Sequence, residues 1–199
     1  AILATIGGFN CNELLPYLDF ELIARNPKIF CGYSDTTALL SAIYSKTGMK
    51  TYMGPSYSSF KMDALQDYQT ESWLKAVSQT SYELTPSEKW GDNAWYLPDA
   101  PLTFHETEWK VYHHGQAQAT AIGGNLSTFS LLRGTPYAPT DENYVLFVEE
   151  AEEDDYVEFD RNLAALLQAY PNPQALLIGR FPKECQMTEE LLLYILDKH

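Results

Sequence analysis

The chain has 199 residues, 45% hydrophobic and 20% charged, enough for one large or two small domains with a sizeable core. Its formal net charge of -14, with no basic patch, excludes nucleic acid as an expected partner; acidic surfaces of this kind serve solubility. No apolar run approaches the ~20 residues of a membrane span, so no membrane partner is expected.

The two ends look cut, because the chain opens in an apolar run without an initiator methionine and closes on a helix. The expectation is an internal piece of a longer protein. Ala1 to Ile6 reads as a buried strand, with Gly7-Gly8-Phe9-Asn10 as the turn at its end. Asn12 to Leu18 reads as a helical turn with Asn12 as its cap. Phe20 to Arg25 is a second short helix, stopped by Asn26-Pro27. Ile29 to Cys31 is a buried strand, Gly32 to Asp35 a tight turn, and the helix after Asp35 places Ala38, Leu39, Ala42 and Ile43 on one face. Ser34 therefore sits between a strand end and a helix start. That position exposes a hydroxyl where helix N–H groups point the same way, the logic of a nucleophile elbow. No glycine follows the serine, unlike the G-x-S-x-G form. The competing reading is that Ser34, Asp35 or Thr36 only caps the helix.

The helix ends at Gly48, and Lys50 to Met53 is the next short strand, closed by Gly54-Pro55. Met62 to Val77 reads as a helix and Thr80 to Leu84 as a strand. Pro86 to Gly115 is then rich in Trp, Pro, Asp and His and lacks periodicity, so it reads as a long functional or mobile loop. Its tryptophans either stack on a flat ligand or pin the loop to the body. Gln116 to Ile122 is a strand ending in Gly123-Gly124-Asn125, and Ser127 to Arg133 a helix. Tyr144 to Val148 is a strand with Glu149 at its carboxyl end. Glu149 opens a run to Asp155 with six carboxylates. That run reads as a solvated acidic loop, apart from Glu149, which stands where an active-site acid would. Phe159 to Ala169 is an amphipathic helix, Ala175 to Ile178 a strand ending in Gly179-Arg180-Phe181, and Thr188 to Asp197 the last helix. Strands alternating with helices predict a parallel sheet whose carboxyl ends gather the ligand site. Gly7-Gly8 and Ser34 both fall there.

The cysteines, Cys11, Cys31 and Cys185, are widely spaced without a C-x-x-C pattern, which suits free thiols in a reducing compartment such as the cytoplasm. No metal or cofactor is expected.

Several collinear stretches together resemble one family. They are Ile6-Gly7-Gly8, Asn12-Glu13-Leu14-Leu15-Pro16-Tyr17-Leu18, Gly32-Tyr33-Ser34-Asp35-Thr36-Thr37, Gly54-Pro55, Ile122-Gly123-Gly124-Asn125-Leu126, Gly134-Thr135-Pro136, Leu146-Phe147-Val148-Glu149 and Gly179-Arg180-Phe181. This set is similar to the serine LD-carboxypeptidases and their relatives, the microcin C self-immunity proteins. The resemblance implies an α/β fold with a partial N-terminal nucleophile domain at 1–85 and a Trp-rich connecting and substrate loop at 86–115. A smaller, partial C-terminal domain carrying the acid follows at 116–199.

The resemblance further implies a Ser-His-Glu hydrolase acting on an amide of a small peptide or an aminoacyl-nucleotide. Ser34 is then the nucleophile, and Glu149 orients the histidine. Backbone N–H groups of Asp35 and of Gly7 or Gly8 form the oxyanion hole. Trp90, Trp95, Asn125 and Arg180 hold substrate, and the tryptophan loop looks more like the microcin C branch. The chain is compatible with a homodimer. His105, His113 and His114 precede Glu149, and His199 ends the last helix, so no residue here matches the family's histidine; the expectation is that it lies beyond His199. Alternatives are a murein tetrapeptide LD-carboxypeptidase and a non-catalytic ligand-binding fragment that lacks the base.

Overall fold

The computed structural model describes residues 1–62, 64–92, 97, 101–152 and 154–199. A first parallel sheet orders β1 (Ile2–Leu3), β2 (Phe30–Gly32) and β3 (Tyr52–Met53), with α1 (Phe20–Arg25) and α2 (Thr37–Thr47) as the crossovers. Helix α3 (Gln66–Ser78) follows, then an antiparallel hairpin of β4 (Lys89–Trp90) and β5 (His105–Glu106). A second parallel sheet orders β6 (Thr120–Asn125), β7 (Tyr144–Glu149) and β8 (Leu176–Ile178). Its crossovers are α4 (Leu126–Ser130) and α5 (Tyr156–Ala169), and α6 (Glu189–Lys198) follows β8. Parallel neighbours need such crossovers, because a tight turn cannot return the chain in the same direction.

One apolar core serves both sheets. Ile122, Leu146 and Val148 of the second sheet pack with Phe129, Phe159, Leu163 and Leu166 of its helices, and Leu15, Ala38 and Ala42 of the first half enter the same cluster. Polar bonds cross this seam as well. Tyr44 donates to Asp141 Oδ1 at 2.6 Å and Ser45 to the Ala138 carbonyl at 2.8 Å.

Local chemistry sets the element ends. Gly48, at φ 69°, caps α2 with its N–H on the Tyr44 carbonyl, as expected. Asp155 caps α5, accepting from the N–H groups of Val157 and Glu158, and Thr188 caps α6. Some sequence expectations shift. Asn12 is not a cap: a 3-10 helix runs from Cys11 to Tyr17 with Asn10 before it, and Asn10 spends its side chain on Glu13. Helix α3 starts at Gln66 rather than Met62, because Leu65 adopts a left-handed conformation. The expected strand over Thr80 to Leu84 is irregular; Tyr82 and Leu84 are exposed and have no strand beside them among the described residues. The expected loop from Pro86 to Gly115 contains the β4–β5 hairpin. The helix expected over Ser127 to Arg133 is α4 continued by tighter i to i+3 turns up to Gly134.

Alternation along β7 sends Tyr144, Leu146 and Val148 into the core and Val145, Phe147 and Glu149 to the other face. Glu150 continues the core face. It is 3% exposed, and neither carboxylate oxygen has a hydrogen-bond partner among the described residues. Burial pushes its carboxyl up to about 9, with further pressure from Asp154, Glu149 and Glu158. Of the acidic run, Glu152 and Asp155 face water, Asp154 is half-buried, and Glu153 lies outside the described residues.

The fold therefore favours protonated Glu150. Its contribution is complete below the ordinary value of 4.5 and is lost as pH rises toward about 9, by up to about 1.4 kcal/mol per pH unit. Glu150→Gln, which keeps the shape and cannot ionise, is expected to raise the melting temperature above wild type at about pH 8 and to match it near pH 5. Melting curves across that range check this; a difference independent of pH would contradict it.

Candidate active site

Ser34 leaves β2 with φ at +56°, a left-handed conformation rare for a side-chain-bearing residue and costing on the order of 1–3 kcal/mol. Tyr33 before it is extended, and a 3-10 turn over Ser34–Thr36 leads straight into α2. Only small neighbours permit this corner. A Cβ on Gly32 would lie 2.7 Å from Thr36 Cγ2 and 2.9 Å from Ala4 Cβ, and one on Gly7 would lie 2.9 Å from both Ser34 Cβ and Oγ. One on Gly8 would stand 3.1 Å from Asp35 Oδ2. The Gly7-Gly8 loop thus presses its backbone on the serine.

The capping alternative for this stretch finds no bond: neither the 3-10 turn nor α2 has a side-chain cap. Asp35, 4% exposed, instead accepts the Cys11 N–H at 2.9 Å and ties the glycine loop to the corner. The Ser34 hydroxyl has no hydrogen-bond partner among the described residues. Cys11 is no rival nucleophile. Burial, helped by the Asp35 carboxylate, pushes its thiol up to about 12, so thiolate is scarce at neutral pH. Cys31 and Cys185 are buried free thiols, also shifted upward by burial.

The second sheet brings Asn125 and Glu149 together, in register at the carboxyl ends of β6 and β7. Gly179, just past β8, has no side chain where a Cβ would meet Glu149 Cβ at 2.8 Å. Asn125 is 2% exposed; its Oδ1 caps α4, accepting from the Thr128 N–H and the Ser127 hydroxyl. Burial raises the Glu149 carboxyl above its ordinary value, the Asn125 amide opposes this, and the Asp154 charge adds to it. The amide influences the carboxylate without closing a bond of good geometry: Asn125 Nδ2 and Glu149 Oε1 are both buried and unpartnered among the described residues. An acceptor and a donor therefore stand ready at the sheet's end.

The two clusters meet through Thr37, a residue to which the sequence reading gave no role. The Asn125 N–H donates to Thr37 Oγ1 at 3.1 Å.

Arg180 follows Gly179, and its guanidinium lies 4.4 Å from the centroid of the Trp90 ring. The His105 ring is 4.7 Å from the same indole. Trp90 therefore holds the hairpin against the end of β8 by stacking and cation–π attraction. Arg180 makes no salt bridge among the described residues. Trp95 lies outside the described residues. A cavity of about 600 Å³ opens beside this group, with Tyr44, Met53, Trp73, Trp90, Gly123 and Phe147 among its walls. Gly123 and Phe147 pair in register, and the next pair on the same sheet face is Asn125 with Glu149. Of the histidines, His105 packs on Trp90 and His199 bonds Asp160 at 2.7 Å.

Gly7→Ala tests the corner. The added methyl must displace Ser34, so if Ser34 is a nucleophile its labelling by a fluorophosphonate should fall at least about tenfold. Labelling at the wild-type rate would show that the close approach has no consequence for the hydroxyl.

The chain is similar to known proteins along its whole length. The LD-carboxypeptidase N-terminal domain family matches residues 1–54 and the LD-carboxypeptidase C-terminal domain family matches residues 118–199. A putative carboxypeptidase of Bacillus subtilis, YocD, is 44% identical over 99% of this chain and 62% of its own length. The structure of an MccF-like protein from Bacillus anthracis superposes with a TM-score of 0.94 at 41% identity, covering 100% of this chain and 62% of that one. The structure of the microcin C7 self-immunity protein MccF in complex with glutamyl sulfamoyl guanosine matches with a TM-score of 0.86 at 32% identity, covering 98% and 63%. The chain thus spans a little over 60% of the length of these relatives. With both domain families matched in order and the fold shared along its whole length, this chain belongs to the LD-carboxypeptidase family, on its MccF-like side.

Proposed function

We propose that Ser34 is the nucleophile of a hydrolase that cleaves an amide in a small peptide or an aminoacyl-nucleotide. The observation that carries this reading is the left-handed Ser34 backbone at the β2–α2 corner, pressed against Gly7. Such a corner lifts a hydroxyl off the sheet and puts the following N–H groups beside it. In this reading Ser34 Oγ attacks the carbonyl, and the resulting oxyanion meets the N–H of Asp35 and one from the Gly7-Gly8 loop. The base passes the Ser34 proton to the nitrogen, the C–N bond breaks and the amine leaves; water, giving its proton to the same base, then hydrolyses the acyl-Ser34 and restores the hydroxyl. Glu149 orients the base, and its buried Oε1, unpartnered among the described residues, supports that role. The base itself is not assigned to any of the four histidines.

Arg180 supports the carboxypeptidase class. Its guanidinium is unneutralised among the described residues and suits a free substrate carboxylate. Trp90, already engaged by Arg180 and His105, acts in this reading by holding that guanidinium, and stacking on a base falls to Trp95. The MccF relative bound to glutamyl sulfamoyl guanosine supports an aminoacyl-nucleotide as the substrate class. The Arg180 position favours a second reading equally well, a murein tetrapeptide LD-carboxypeptidase, since that substrate also ends in a carboxylate.

The full-length protein is assayed with an aminoacyl sulfamoyl-adenylate and with a murein tetrapeptide. Ser34→Ala should abolish turnover of whichever is cleaved without loss of fold; wild-type turnover in that variant would sink the assignment. Trp90→Ala should raise KM for both substrates alike, and Trp95→Ala should weaken the nucleotide alone, by roughly 5- to 150-fold for a stacking contact of about 1–3 kcal/mol. A Trp90→Ala loss confined to the nucleotide would return the stacking role to Trp90.

A further inference from the structure

We propose that Thr37 is a positioning residue that registers the Ser34 corner against the Asn125–Glu149 strand ends. The inference rests on the reading of Ser34 as nucleophile. Thr37 is the first residue of α2, three positions past Ser34, and is 1% exposed. Its hydroxyl does not cap its own helix but accepts the Asn125 N–H at 3.1 Å, across 88 residues of chain. That N–H is buried, so the acceptor is needed there.

The other side of the joint is shaped to fit. Gly123 and Gly124 sit at φ 138° and 135°, a region that residues with side chains rarely enter. A Cβ on Gly124 would lie 2.6 Å from both Thr37 Cγ2 and Oγ1. The end of β6 thus takes a glycine-only path, and Thr37 fills the space the missing side chain leaves. Both arms of threonine are used, the methyl as packing and the hydroxyl as acceptor. Beyond the joint, Asn125 pairs in register with Glu149, and Gly179 closes on the Glu149 stem. Contacts therefore run without a gap from the Ser34 turn through Thr37 and Asn125 to Glu149. Thr37 touches no reacting atom in this scheme. It decides where the acid stands relative to the serine, and small misplacements in such constellations are costly.

Thr37→Val keeps the shape and removes the acceptor, while Thr37→Ser keeps the acceptor and removes the methyl. In the full-length protein, Thr37→Val should slow fluorophosphonate labelling of Ser34 and lower kcat by roughly 10- to 100-fold, with KM nearly unchanged. Thr37→Ser should restore both to within about threefold of wild type. A merely structural role would lower the melting temperature of both variants and leave the kcat of the folded enzyme alone. If Thr37→Val does not fold, Thr37→Ala, which leaves room for a water on the Asn125 N–H, takes its place with the same expected loss of kcat. Wild-type kcat and labelling in the valine or alanine variant, or a serine variant as slow as the valine one, overturns the inference while Ser34 stands. Absence of labelling in wild type instead overturns the nucleophile reading, and this inference with it.

Discussion

Everything at the first sheet depends on one backbone constraint, the left-handed turn at Ser34. A residue with a side chain resists that conformation, so its surroundings must hold it. They do so by crowding: Gly32 and Gly7 yield their side-chain space to Thr36, Ala4 and Ser34, and Asp35 anchors the loop at Cys11. The helix that follows is fixed in the shared core by Ala38 and Ala42. Strain at the corner is thus balanced by packing on three sides, which is the ordinary condition for a strained functional turn to persist.

The second sheet contributes through alternation. Because successive β7 side chains point to opposite faces, two adjacent carboxyls meet different fates. Glu149 shares a face with Phe147, which lines the cavity, and its buried Oε1 has no hydrogen-bond partner among the described residues. Glu150 faces the core, where burial holds it neutral over most of the physiological range. A half-buried carboxyl on one face and a fully buried one on the other come from a one-residue step along the same strand.

Trp90 shows how tertiary contact narrows a residue's options. In sequence it is an indole in a polar loop, open to stacking on a ligand or on the body of the protein. In the fold its ring meets both His105 and Arg180, so the tryptophan holds a cation at the end of β8. That places an arginine and a strand-end carboxylate at the ends of the neighbouring strands β8 and β7, while the serine corner stands at the end of β2 in the other sheet.

The sequence by itself determined the parallel α/β architecture, the serine corner and the strand-end acid. These are local facts, since strand-length apolar runs, helical spacing, glycine turns and a carboxylate after a strand all act over a few neighbouring residues. The family followed from the same collinear motifs. Element ends were less legible: the expected strand over Thr80 to Leu84 found no partner among the described residues, and Leu65 delayed α3 by its own backbone conformation. Three matters were decided only by the tertiary structure. Thr37 reads in sequence as one more helix residue, and only the approach of Asn125, 88 positions away, gives its hydroxyl a partner. Glu150 reads as part of a solvated acidic run, and only its place on the core-facing side of β7 buries it. Gly123 and Gly124 read as a turn, yet they are paired strand residues whose missing side chains make room for Phe147 and Thr37. In each case the deciding contact joins segments far apart in the chain, and no local preference can specify which distant residue will arrive.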